Sequence, residues 1–109
     1  MFARVTTLQL QPGRLDEFLH FFQDSIAPAA AAQPGFGGIT LMTDPRRGKV
    51  VAFGLWDSEA DLLASEQAYY QTKLGEVGGL LSGPPLRESY EVSVQVELNE
   101  QGMARIRGI

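Results

Sequence analysis

Few residues in this chain could take part in acid–base, nucleophilic or metal chemistry, and their spacing narrows the choice further. His20 is the single histidine, and its ordinary pKa near neutrality makes it the natural candidate for a general base. Asp16 and Asp24 lie four residues to either side of it, which on a helix reads more simply as surface electrostatics than as a catalytic pair. Tyr69, Tyr70 and Tyr90 carry phenolic hydroxyls that could orient a ligand carbonyl or hydroxyl wherever one borders an apolar cavity. Trp56, the only tryptophan, follows an apolar run and offers a packing surface together with an indole N–H donor. The absence of cysteine excludes disulfides, thiolate ligands and thiol nucleophiles, and one histidine cannot build a multi-histidine metal site within one chain. Asp57, Glu59, Asp61 and Glu66 are dispersed acids without metal-ligand spacing. Gly75, Gly78, Gly79 and Gly83 match neither a dinucleotide-binding nor a phosphate-loop pattern, so no metal or cofactor is expected.

The elements that must position these residues follow from periodicity. Arg4, Thr6, Leu8 and Leu10 alternate with Val5, Thr7, Gln9 and Gln11, which predicts a strand ended by Pro12-Gly13. Leu15, Phe18, Leu19, Phe22 and Ile26 recur at helical spacing, so a helix from Arg14 to about Ala32 should lay this stripe on the sheet. His20 lies off that stripe and should point sideways or outward. Pro28 should kink or interrupt the helix, and Pro34-Gly35 should stop it. Phe36 to Thr43 and Lys49 to Trp56 read as strands joined by the turn at Asp44-Pro45-Arg46-Arg47-Gly48, with Ile39 and Leu41 facing the helices. Ser58, with Asp61 three residues on, predicts the capped start of a second helix running to roughly Lys73. Leu86 to Leu98 alternates well and reads as one long last strand, and residues 99–109 as a tail or a brief extra strand.

The 109 residues suit one domain, placed at residues 1–98, with residues 99–109 as a C-terminal tail. The order β-α-β-β-α-β predicts an α+β, ferredoxin-like fold with an antiparallel sheet and both helices on one face. A core this small gains from association, and the apolar supply exceeds what two short helices need, so a homodimer is expected, with Met103, Ile106 and Ile109 available to pack across it. A net charge of −4 argues against nucleic acid. No apolar run is long enough to span a membrane and no secretory apolar segment follows Met1, so a cytoplasmic protein is expected.

Pro28, Pro34-Gly35, Trp56 closing the third strand, and Ser58-Glu59 opening the next helix together resemble the antibiotic-biosynthesis-monooxygenase family, over about residues 3–97. The resemblance implies a dimeric α+β barrel with a cavity between sheet and helices that takes flat aromatic molecules, and Trp56 as a wall of it. Many members carry a histidine nine residues after the tryptophan. This chain has Ser65 there, and Tyr70 near the position of a further histidine. The haem-degrading branch needs an asparagine in the first strand and a histidine in the second helix. Thr6 and Thr7 and a histidine-free second helix put that activity in doubt.

Two functions compete on this basis. One is cofactor-independent oxygenation of a small aromatic or quinol-like substrate, with Trp56, His20, Tyr70 and Ser65 as the site. The other is a non-catalytic ligand-binding or structural homodimer. An isomerase or dehydratase would need His20 paired with an acid. A cavity with His20 or a tyrosine hydroxyl pointing in favours an enzyme, whereas a solid core with His20 in solvent favours the second reading.

Overall fold

A computed structural model of the chain describes residues 1–108. The first strand, β1 (Phe2–Gln9), is followed by a helical arm made of α1 (Leu15–Phe21), a π-helical turn (Phe22–Ile26) and α2 (Ala27–Ala31). Strands β2 (Phe36–Asp44) and β3 (Lys49–Trp56) form a hairpin. A second arm repeats the design: α3 (Glu59–Ser65), a π-helical turn (Glu66–Tyr70) and α4 (Gln71–Val77), closed by a short 3₁₀ turn (Gly78–Leu80). Strand β4 (Leu86–Glu91) completes an antiparallel sheet in the order β2-β3-β1-β4.

The sheet is open. Its edges are β2 and β4, and among the described residues it closes on no other strand, which corrects the expectation of an α+β barrel. Four strands are too few to close on themselves, and the last of them is shorter than expected. The expected Leu86–Leu98 strand breaks after Glu91, and its second half, β5 (Gln95–Leu98), leaves the sheet to pair with β6 (Ala104–Arg107) in a separate hairpin. Asn99 shapes the connecting turn: its side chain accepts from the backbone N–H of Gln101 and of Met103, and Gly102 adopts a positive φ. Ile109 lies outside the described residues.

Two buried clusters hold the helical arms on one face of the sheet. Leu8, Leu10, Phe18, Val50, Val77 and Leu80 form the first; Ala30, Trp56, Leu62, Tyr69 and Tyr70 form the second. Of the expected stripe, Phe18 is buried, with Leu15, Phe22 and Ile26 packed against the core. Pro28 has no N–H to donate back along the helix, and the wider turn just before it relieves its ring against the preceding carbonyl.

The start of α3 is fastened at both ends. Ser58 accepts from the Asp61 backbone N–H at 3.1 Å and donates to the Asp61 carboxylate at 3.0 Å. The same carboxylate packs on Gly35, whose φ is +75°, and the Asp57 backbone N–H donates to the Gly35 carbonyl. This junction fixes Trp56 at the end of β3 beneath the second arm.

Candidate functional site

Strand β1 alternates, and its residues Arg4, Thr6 and Leu8 face the helices. Arg4 is therefore a guanidinium placed in the core, 4% exposed. Its Nη1 donates to Ser65 Oγ at 3.0 Å and, more weakly, to the Leu62 carbonyl at 3.5 Å; Nη2 donates to the Tyr69 hydroxyl at 3.0 Å. Three aromatic faces surround it: Cζ lies 3.9 Å from the Tyr70 ring centroid, 5.5 Å from that of Trp56 and 5.8 Å from that of Tyr69. Its carboxylate contact is Glu66, at 3.9 Å, and Glu66 is shared with Arg87 at 3.4 Å. Two guanidinium groups thus flank one carboxylate. Arg87 is half-exposed and solvated, whereas the buried Arg4, which cannot shed its proton, stands 3.9 Å from Glu66 and is only loosely neutralised by it.

The second π-helical turn explains how Tyr69 and Tyr70 both point inward. Neighbours on a regular helix diverge by ~100°, so one apolar stripe rarely takes two adjacent residues. The inward series Leu62, Ser65, Tyr69 meets the wide turn and resumes as Tyr70 and Val77. Tyr70 shares a 2.7 Å hydrogen bond with Thr6 Oγ1. Burial, only partly opposed by Arg4, raises the Tyr69 pKa above its ordinary 10.0, so its hydroxyl keeps its proton and acts as a donor near neutral pH.

Beside this cluster lies a cavity of ≈50 Å³ between the sheet and the two arms. Arg4, Thr6, Gly54, Tyr69, Tyr70 and Lys73 give it polarity, while Leu8, Phe18, Phe22, Ile26, Ile39, Leu74 and Val77 supply apolar wall. Lys73 reaches Ser25 Oγ at 2.8 Å and Glu76 at 3.6 Å, bridging the two arms. A wider groove of ≈430 Å³ between the Pro12-Gly13 and Pro45–Gly48 turns holds Arg46 and Arg47, but both are exposed and Arg47 is paired with Asp44.

Of the expected site residues, Tyr70 lines the cavity. Ser65 is buried behind it, accepting from Arg4 and donating to the Leu62 carbonyl at 2.6 Å. Trp56 is fully buried against Phe36 and Tyr69, at centroid distances of 5.6 and 6.2 Å, and stands behind the wall. His20 is exposed, with Nδ1 2.9 Å from the Asp16 carbonyl, and is not brought to the cavity. Tyr90 is exposed on β4 and donates to Glu88. Arg4, Thr6 and Lys73 were not singled out for the site. The legible signal was a charged residue in register with Thr6, Leu8 and Leu10 on the sheet's helix-facing side. Among the described residues no three histidine or acidic side chains converge as a metal site would require, and no helix is long and apolar enough to cross a membrane.

Residues 1–74 match the model of the antibiotic biosynthesis monooxygenase family, and the chain belongs to that family. Two uncharacterised proteins from strains of Mycobacterium tuberculosis are 25% identical over 93 residues, 85% of this chain; the chain spans 41% of their length. A monooxygenase from Streptomyces coelicolor, solved in complex with nanaomycin D, superposes with a TM-score of 0.73 at 18% identity, covering 90% of this chain and 92% of that one. A cofactor-independent oxygenase from Streptomyces nogalater gives 0.71 at 18% identity, covering 84% and 91%. A protein of unknown function from Nitrosomonas europaea gives 0.73 at 23% identity, covering 84% and 87%. At these identities the superpositions establish a shared fold.

Proposed function

We propose that this protein binds a small phenol or quinol in the cavity beside Arg4 and oxidises it with dioxygen without a cofactor. The observation that carries the reading is the under-neutralised Arg4, walled by aromatic rings and opening on an apolar cavity that also presents the Tyr69 and Tyr70 hydroxyls. A phenol placed there is acidified by the guanidinium and loses its proton to water at the cavity mouth, since no histidine lines the wall. The phenolate gives one electron to dioxygen. Superoxide and the ring radical join through a new C–O bond, and the resulting hydroperoxide loses water to leave a quinone. One phenol and one O₂ thus yield one quinone and one H₂O. Family membership and the activities named for the two Streptomyces structures support this chemistry.

The cavity limits the substrate. A cavity of roughly 150 Å³ takes one benzene ring, so a single ring enters this one only if side chains such as Phe22 or Leu74 move aside, and fused polycyclic molecules are disfavoured. Oxygen uptake with monocyclic phenols and hydroquinones, matched to quinone absorbance and to an anaerobic control, tests the proposal. Turnover with one O₂ consumed per quinone is expected, and uptake no faster than the protein-free control across the panel would sink it.

A second reading, ligand binding without chemistry, is favoured by the same small cavity and by His20 standing in solvent. Saturable binding of phenols with no oxygen uptake would select it.

For either activity the protein works as a homodimer in this proposal. The face of the sheet away from the helices carries Val5, Val51, Phe53 and Leu55, with Met42, Leu86 and Tyr90 exposed around them. The β5–β6 hairpin adds a second apolar face of Val96, Leu98, Ala104 and Ile106, opposite a polar face where Arg107 meets Glu97 at 3.8 Å. A lone two-stranded hairpin is marginal in water, so association through these surfaces would stabilise it. Sedimentation should show a dimer that Phe53→Glu converts to monomer; a wild-type monomer at micromolar concentration would exclude it.

A further inference from the structure

The wall of the cavity carries two cations and no anion. Arg4 and Lys73 line it, and no aspartate or glutamate among the described residues does. The chain as a whole is acidic, with 13 aspartates and glutamates against 9 lysines and arginines. The excess of positive charge is therefore local. Charge of one sign on apolar, low-dielectric walls draws in ligands of the other sign.

Arg4 has Glu66 as a loose counter-ion, but Lys73 has less to explain it. Its side chain is 21% exposed, and the one hydrogen bond that Nζ makes among the described residues is to Ser25 Oγ, a neutral acceptor, at 2.8 Å. Glu76 stands 3.6 Å away, too far for a hydrogen bond, and is itself 43% exposed to water. The Phe21 ring centroid, at 5.9 Å, is at the limit of a cation–π contact. An ammonium carries three N–H donors, so Ser25 fixes Nζ at the wall and leaves it two more to give.

The two cations are also set apart along the cavity. Lys73 leaves the second arm one helical turn, roughly 5 Å, beyond Tyr69, whose hydroxyl Arg4 holds. A single benzene ring with substituents at opposite ends spans such a gap. Ser25 and Phe21 come from the first arm, so Nζ lies where the two arms meet over the cavity.

We propose that Lys73 is the specificity residue of this cavity and selects a phenolic ring bearing a carboxylate, which Nζ binds while the phenolic oxygen is held at Arg4. The proposal rests on the cavity being the ligand site, but not on oxidation taking place there.

Calorimetric titration of the full chain tests it, near neutral pH, where carboxylates are ionised, and at low ionic strength. The probes are 4-hydroxybenzoate and 4-hydroxyphenylacetate, each compared with its own primary amide, which keeps the shape and removes the charge. At least one acid should bind at least about tenfold more tightly than its amide, the factor expected for one charge-assisted hydrogen bond. Lys73→Gln keeps a polar donor on a partly exposed side chain, so the variant should fold, lose the preference for the acid and retain its affinity for the amide. Lys73→Arg should keep most of the preference. Arg46→Gln, in the exposed groove at the Pro45–Gly48 turn, should keep all of it. The proposal is overturned if neither acid outbinds its amide, if the preference survives Lys73→Gln or disappears in Arg46→Gln, or if Lys73→Gln weakens acid and amide alike, which would make Lys73 only a strut between the arms. Binding of none of the four compounds would remove the cavity as the ligand site and this proposal with it. Acid preference without oxygen uptake would retire the oxygenase and leave the role of Lys73 standing. Oxygen uptake with hydroquinones and no acid preference would do the reverse.

Discussion

Replacing Arg4 with methionine removes a buried charge whose contacts can be counted one by one. Ser65 Oγ keeps its bond to the Leu62 carbonyl, and Glu66 keeps Arg87 at 3.4 Å, so neither is stranded. The Tyr69 hydroxyl loses its partner, at a cost of about 1–3 kcal/mol. The stacking on Tyr70, Trp56 and Tyr69 is lost as well, about 0.5–2 kcal/mol, though methionine refills part of that contact. Against these stands the desolvation of the guanidinium, several kcal/mol, which the variant no longer bears. Arg4→Met should therefore lower stability by no more than about 2 kcal/mol. The double variant Arg4→Met/Tyr69→Phe, which removes the orphaned hydroxyl, should regain about 1 kcal/mol of that. Urea denaturation followed by Trp56 fluorescence measures both, at several protein concentrations so that association is separated from folding. Binding of 4-hydroxybenzoate should meanwhile fall at least about tenfold. A loss above about 4 kcal/mol, or no gain from the second substitution, would show that Arg4 is a structural keystone satisfied within the fold, and would remove the argument that the cluster awaits an anion.

Three further outcomes follow from the same contacts. Tyr69 has its pKa raised by burial, so the folded state resists its ionisation while the unfolded chain ionises near 10.0; stability is full below that pH and declines as pH rises through and above it, and Tyr69→Phe should flatten the decline seen by urea denaturation across that range. Gly35→Ala meets both a positive φ and the Asp61 carboxylate, which the new β-carbon would overlap. It should cost more than the ~1 kcal/mol typical of the backbone alone, and Asp61→Ala in the same chain should restore part of the midpoint shift. Ser58→Ala removes the cap of α3 and should cost about 1 kcal/mol by the same measurement, with Ser58→Asn close to neutral.

The local elements were legible because each is governed by short-range rules. Alternation marked β1, an apolar run marked β3, helical spacing placed Phe18, Phe22 and Ile26 on the sheet, Ser58 and Asp61 announced the cap, and Pro34-Gly35 stopped the first arm. His20 was read as lying off the apolar stripe, and it is exposed. The two wide turns were not legible. A single extra residue in a helix hardly disturbs the sequence pattern, yet it turns Tyr70 inward beside Tyr69. The separation of β5 from β4 was equally hidden, because alternation continues through the break at residues 92–94 and only the turn at Asn99 offers β5 another strand to pair with.

What the sequence determined by itself was therefore the inventory: the first three strands and the two helical arms, no cysteine, one histidine, one tryptophan, and the family. What only the tertiary structure decided was the site. Arg4, Gly54, Trp56 and Tyr69 lie on three separate elements, and nothing in their linear spacing couples them. Their meeting depends on the cross-strand register of β1 with β3, on the lateral position of the second arm, and on a charge whose burial is set by what packs over it.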